Sequence, residues 1–130
     1  MPLVHIDVQQ GHPAAHRRAI LAGVHAALVE CFKIPDHDRQ QVLCEHPAEN
    51  FDRPPGRSDN FAVVQILAFP GRSREAKRDL FAAIVRNLHA APGIDPLDVF
   101  IAISEPPPDN WGIRGGQQAS SVELGFKVDV

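Results

Sequence analysis

Shifted against itself by 60 residues without a gap, the chain superposes Val4 on Val64, Ile6 on Ile66 and Gly11 on Gly71. The same shift pairs Arg18 with Arg78, Ala22 with Ala82, Leu28 with Leu88, Ile34 with Ile94 and Asp38 with Asp98. Other pairs keep only apolar character, as Leu21 does with Phe81 and Val24 with Ile84. An internal repeat of this length constrains the fold strongly. Each copy is one supersecondary unit that cannot bury its apolar face alone, so the two copies have to share a core.

Each copy reads strand, helix, strand. Pro2, Val4, Ile6 and Val8 share one parity, with Leu3, His5 and Asp7 on the other, which predicts a strand with one buried face. In "GHPAAHRRAILAGVHAALVECF", Pro13 suits a first helical turn, and Ile20, Leu21, Val24, Leu28, Cys31 and Phe32 form an apolar stripe. "RQQVLCEH" reads as a second strand, and the Pro/Gly-rich residues 47–60 form a connection with room for a short strand or hairpin. "FAVVQILAF" is apolar on both parities, as in a strand buried on both faces. A helix over 73–90 follows, then the strand "VFIAIS", a loop, and the alternating "SVELGFKVDV" as a last strand.

The expected architecture is a single α+β domain over residues 1–130 with two layers. Two β-α-β units, about 2–48 and 61–104, join by right-handed crossovers into one four-stranded sheet with two helices on one face, and a loop and strand follow over 105–130. A sheet covered on one side leaves an apolar face to bury, which points to a closed homo-oligomer.

A formal net charge of -3, without a basic stripe, gives no reason to expect nucleic acid or an acidic membrane as partner. Cys31 and Cys44 lack C-x-x-C spacing and fit buried thiols in a reducing compartment. No signal-like or membrane-length apolar run is present, so a cytoplasmic protein is expected.

Chemistry enters at four places. Removal of Met1 would leave Pro2 with a secondary amine, and an α-amino group titrates near about 7.7–8.0 in the absence of neighbours. Burial or an adjacent cation lowers that value, making the amine a general base or a nucleophile at neutral pH. In "FPGRS", Arg72 lies between a strand end and Ser73, a helix cap, where an anion is favoured and a guanidinium can grip a carboxylate. Asp38, in "IPDHDR", is placed to activate water or to stabilise a turn. The loop "PDNWGIRGG" holds Trp111, a pocket wall or a loop anchor, and Arg114, a second anion contact or a surface charge; Arg74 reads as solvated. The histidines show no metal-ligand spacing, and phosphate-binding and nucleophile-elbow motifs are absent, so no metal is expected.

Taken together, "MPLVHIDVQQG", "IPDHDRQQVL", "RSDNFAVVQILAFPGRSREAKRDLF", "GIDPLDVFIAISE" and "DNWGIRGG" resemble the tautomerase superfamily, with its 4-oxalocrotonate tautomerase and macrophage migration inhibitory factor fold. The likeness covers nearly the whole chain and is greatest to the malonate semialdehyde decarboxylase-like group. The resemblance implies a homotrimer, cofactor-free chemistry at Pro2, and a small carboxylate substrate held by Arg72. It further implies a water-activating role for Asp38 and a pocket wall at Trp111 and Ile113. Two departures stand out. Pro70 occupies the place of a second arginine, for which Arg74 or Arg114 are the candidate replacements, and Ile113 stands where Phe is common. Three activities stay open: keto–enol tautomerisation of 2-oxo acids, decarboxylation or hydration of a 3-oxo acid, and non-catalytic binding on the same scaffold.

Overall fold

A computed structural model describes residues 2–130. The fate of Met1, on which a free amine at Pro2 depends, lies outside the described residues. Strand β1 (Leu3–Gln9), helix α1 (Ala14–Phe32) and strand β2 (Gln41–His46) form the first unit. Strand β3 (Ala62–Leu67), helix α2 (Arg74–Ala90) and strand β4 (Val99–Ser104) form the second. The sheet order is β2-β1-β3-β4; pairing is parallel within each unit and antiparallel between β1 and β3 at the centre. The duplication in the sequence is thus a duplication in space.

Parity sets the layers. Val4, Ile6 and Val8 of β1, with Ala62, Val64 and Ile66 of β3, are buried beneath both helices. The helices contribute Ile20, Val24, Ala27, Leu28 and Phe32 from α1 and Leu80, Ala83, Ile84 and Leu88 from α2. Burying each such side chain stabilises the fold by about 1.5–3 kcal/mol relative to exposure. The helices meet closely at Gly23, where an added Cβ would stand 3.0 Å from Leu88 Cδ2 and 3.3 Å from Asn87 Cβ. Asn87 Nδ2 donates to Gly23 O there, at 2.9 Å.

Four expectations need revision. β3 is buried on one face only in the single chain: Gln65 and Leu67 are exposed on the other, and Val42 and Phe100 share that open face. Residues 47–60 contain a short 3-10 helix (Ala48–Asn50) and no strand. Cys31 and Cys44 are half-buried rather than buried. The last segment forms no strand: β5 (Gly112–Ile113) and β6 (Gln117–Gln118) make a two-stranded ribbon, and 122–130 run on without a ladder partner among the described residues. Its alternation is nevertheless real, since Val122, Leu124, Phe126, Val128 and Val130 are half-buried while the residues between them are exposed. Val122, Leu124, Phe126 and Val128 pack in the cluster of Phe69, Ile113 and Ala119 rather than on a sheet.

Gly23→Val should overpack the helix crossing and lower stability by about 1–3 kcal/mol. Urea denaturation followed by far-ultraviolet circular dichroism measures this, and an unchanged midpoint would contradict the close approach.

Candidate active site

One end of the sheet collects the start of β1, the approach to β2 and the exits of β3 and β4, because β3 and β4 run opposite to β1 and β2. Pro2 is buried there, one residue before the ladder begins, and continuing the β1–β3 register sets it opposite Ala68. Val4 N donates to Gln40 O at 3.0 Å, which fastens the loop bearing Asp38 beside the same strand. That loop is built locally: Asp38 N donates to Pro35 O at 3.0 Å, Ile34 is buried in the core, and His25, itself buried, donates from Nε2 to Asp36 O at 2.8 Å.

Arg72 is the unusual member. Gly71, at φ +135°, turns the chain after β3, and Ser73 caps α2 by accepting from Ala76 N at 3.0 Å. Between them Arg72 folds inward and is only 5% exposed. Its Cζ stands 4.8 Å from the centroid of the Phe32 ring, and its Nη1 donates to Phe69 O in a long bond of 3.4 Å. Its Nε and Nη2 are buried without hydrogen-bond partners among the described residues. Burial pushes the guanidinium below its ordinary value, while Glu105 and Asp38 oppose this by attracting the charge. A buried cation with two unused donors is costly unless something negative reaches it, so the arrangement suits an incoming anion.

Glu105 is the residue that sequence reasoning passed over. Glu105 follows β4 at the strand end where ligands gather in open α/β sheets, and this position was the available signal. Lys77, on the first turns of α2, pairs with Glu105 Oε1 at 2.5 Å. Glu105 is thus engaged by Lys77, while Arg72 Nε and Nη2 have no acceptor among the described residues.

The remaining candidates divide. A groove of about 560 Å³ is lined by Asp38, Arg39, Arg114, Leu124 and Phe126 among others. Trp111 and Ile113 do not line it but stand behind it: the Trp111 ring lies 4.5 Å from that of Phe69, which in turn stands 6.3 Å from Phe126, and Ile113 packs in the same cluster. Trp111 Nε1 donates to Pro106 O at 2.9 Å. Arg114 donates to Glu123 O and Leu124 O at 2.8 and 2.7 Å, so two of its nitrogens clamp the C-terminal segment. Arg74 is exposed, beside Lys77, Arg78 and Phe81 on the outer side of α2. A second concavity of about 570 Å³ lies between the end of α1 and the start of α2, where Arg86 and Glu30 pair at 2.9 Å. It holds neither Arg72 nor Asp38. The expectation that histidines form no metal-type cluster meets one exception, since parallel pairing of β1 with β2 brings His5, Asp7 and Cys44 together from distant parts of the chain.

Comparison with known proteins matches two family models, both described as tautomerase enzyme, over residues 38–114 and 2–55. The chain is 27% identical over 122 residues to the protein named probable tautomerase YrdN of Bacillus subtilis (strain 168), covering 90% of this chain and 94% of that one. It is similar to FG41 malonate semialdehyde decarboxylase inhibited by 3-bromopropiolate, at 36% identity and a TM-score of 0.81, covering 89% and 92% of the two chains. A fused 4-OT wild type symmetric trimer is similar at 26% identity and a TM-score of 0.80, covering 92% and 97%.

Lys77→Met should release Glu105 toward Arg72 and weaken binding of a small carboxylate such as pyruvate by about tenfold or more. Adding Glu105→Gln should restore it. Trp111 is the single tryptophan, so its fluorescence reports the titration. Equal affinity in the wild type and Lys77→Met would remove this role from Lys77.

Proposed function

The chain belongs to the tautomerase family of enzymes, and we propose that within it this protein interconverts the keto and enol forms of small 2-oxo carboxylic acids with the amine of Pro2 as proton carrier. The observation that carries the reading is Arg72, buried with Nε and Nη2 unpartnered at the sheet end where the strand of Pro2 begins. In this reading the substrate carboxylate accepts from those donors, and the carbon next to the 2-oxo group comes to face the Pro2 nitrogen. The neutral amine takes a proton from that carbon. The C–H electron pair becomes the C=C bond and the carbonyl pair moves onto oxygen, which is protonated in turn; the reverse path returns the proton to carbon. Burial of Pro2 and the cation of Arg72 both disfavour a protonated amine, which favours the base form.

A second reading has its own support. Asp38 attracts the charge of Arg72 and lines the groove, and the chain is 36% identical to a malonate semialdehyde decarboxylase. Here Pro2 stays protonated and polarises the aldehyde oxygen of a 3-oxo acid. The bond to the carboxylate carbon breaks, carbon dioxide leaves, and the electron pair left on the product is protonated; Asp38 draws a proton from water where hydration competes. Pro70, in place of a second arginine, favours the first reading, since one guanidinium fewer holds the carboxylate.

Either reading fits a homotrimer, the state of the similar fused 4-OT symmetric trimer. Exposed Val42, Leu67 and Phe100 on the open face of the sheet supply apolar surface for it. No helix is long and apolar enough to cross a membrane among the described residues, and we take the protein to act in the cytoplasm.

Two measurements test these readings on protein with Met1 removed and no amino-terminal tag. Ketonisation of phenylenolpyruvate should fall by about 10²–10⁴ in Pro2→Ala, as loss of a general acid–base group does. In Arg72→Ala, KM should rise by roughly 10–150-fold, matching about 1.5–3 kcal/mol for a charged hydrogen bond. Unchanged rates in both variants would end the tautomerase reading. Separately, ¹⁵N titration of the Pro2 amine should place its pKa below the ordinary value of about 7.7–8.0, so that activity rises with pH through that lowered value. An elevated pKa, with acetaldehyde released from malonate semialdehyde and lost in Asp38→Asn, would select the second reading.

A further inference from the structure

On the open face of the sheet, opposite the helices, β1 and β2 gather side chains with metal-binding chemistry. His5 and Asp7 lie two apart on β1 and so share a face, and the register sets Asp7 opposite Cys44 and Gln9 opposite His46. One nitrogen of His5, a carboxylate oxygen of Asp7 and Cys44 Sγ lie within 4.8 Å of one another. His46 Nε2 donates to Asp7 Oδ1 at 2.6 Å, and His5 Nε2 stands 3.3 Å from the same oxygen.

We propose that His5, Asp7 and Cys44 bind a divalent transition-metal ion of the zinc or cobalt type, with His46 fixing the carboxylate of Asp7. A nitrogen, oxygen and sulfur donor set selects such ions and disfavours magnesium and calcium, which take oxygen ligands. Donors sharing one tetrahedral ion, with bonds of about 2.0–2.3 Å, stand roughly 3.3–3.8 Å apart. The three here need only small rotamer adjustments to reach that spacing. The hydrogen bond from His46 is the outer-shell contact that aims a ligating carboxylate. Asp7 and His46 side chains are 20% and 35% exposed, so the carboxylate is largely held by its neighbours rather than by water. Three protein ligands leave a fourth position for water or another donor. Binding converts the Cys44 thiol to thiolate, releasing its proton to solvent. All three ligands come from one chain. Because β2 is an edge strand in the single chain, the ion would fasten that edge to β1.

The test uses untagged protein stripped by a chelator and carrying Cys31→Ser, which leaves Cys44 as the one thiol. Titration with Co²⁺ should give one ion per chain, with visible bands of four- or five-coordinate cobalt and a near-ultraviolet thiolate-to-cobalt band. Zn²⁺ should abolish both. Cys44→Ser should lose the thiolate band, and His5→Ala and Asp7→Asn should bind at least about tenfold more weakly. His46→Ala should lose about 10–100-fold, as outer-shell changes do. Far-ultraviolet circular dichroism of each variant, with His5→Gln as a milder second change, separates lost ligation from lost folding. A cobalt spectrum without the thiolate band in the Cys31→Ser protein, or titrations unaltered by Cys44→Ser and His5→Ala, would overturn the proposal. Ketonisation of phenylenolpyruvate does not enter this readout, so the two proposals fail independently.

Discussion

The antiparallel pairing of β1 with β3 is the contact on which the other features depend. A parallel β-α-β unit buries its helix against its own strands and still leaves a strand edge unpaired. Joining two such units through their first strands closes both inner edges at once and puts the two helices side by side on one layer. Register decides the rest. With Leu3 opposite Leu67 and Val4 opposite Ile66, every core residue of one central strand meets its counterpart on the other. A slip of either strand by one residue would turn its apolar row to the wrong face.

That pairing also makes two equivalent sheet ends, and the chain has treated them differently. At the end of the candidate active site stand Pro2, Asp38 and Arg72. Their counterparts after a shift of 60 are Ala62, Asp98 and His12. Asp98 is 5% exposed and fully engaged: Oδ1 accepts from Ser58 N at 2.9 Å and Oδ2 from Ser58 Oγ at 2.5 Å. His12 stacks on His16 with centroids 4.2 Å apart, where Phe32 faces Arg72 at the first end. Burial and the neighbouring His12 both push His16 below its ordinary value, which disfavours a second positive charge in that stack. One end satisfies its polar groups internally; the other leaves a cation's donors unused. The asymmetry between the two ends is therefore one of polar satisfaction.

Much of this was legible beforehand, for identifiable reasons. Period-two alternation marked the buried parity of β1, and a serine before an amphipathic run marked the cap of α2 at Ser73. The grouping of Pro2, Asp38 and Arg72 was an expectation carried by the family resemblance, since strand directions between the two units cannot be read from the repeat. The misreadings share a cause. Alternation reports which side chains pack, not whether the backbone has a ladder partner, so residues 122–130 looked like a strand while packing as an extended cover. Apolarity on both parities of β3 reports composition, whereas the face left open depends on copies that a single chain does not contain. The burial of Arg72 was hidden because it arises from side-chain direction at a turn, set by Gly71 at φ +135°.

The C-terminal segment carries a last consequence. It lies so close to the turn after β3 that a Cβ on Gly71 would come within 2.9 Å of Val128 Cγ2, and Ser73 N donates to Val130 O at 2.9 Å. Arg114 grips its earlier carbonyls. The segment therefore walls the groove while contributing nothing to the four-stranded sheet. Frame and groove wall are thus partly separate in sequence, so changes at Leu124, Gly125 or Phe126 reshape one wall of the groove without touching the paired strands.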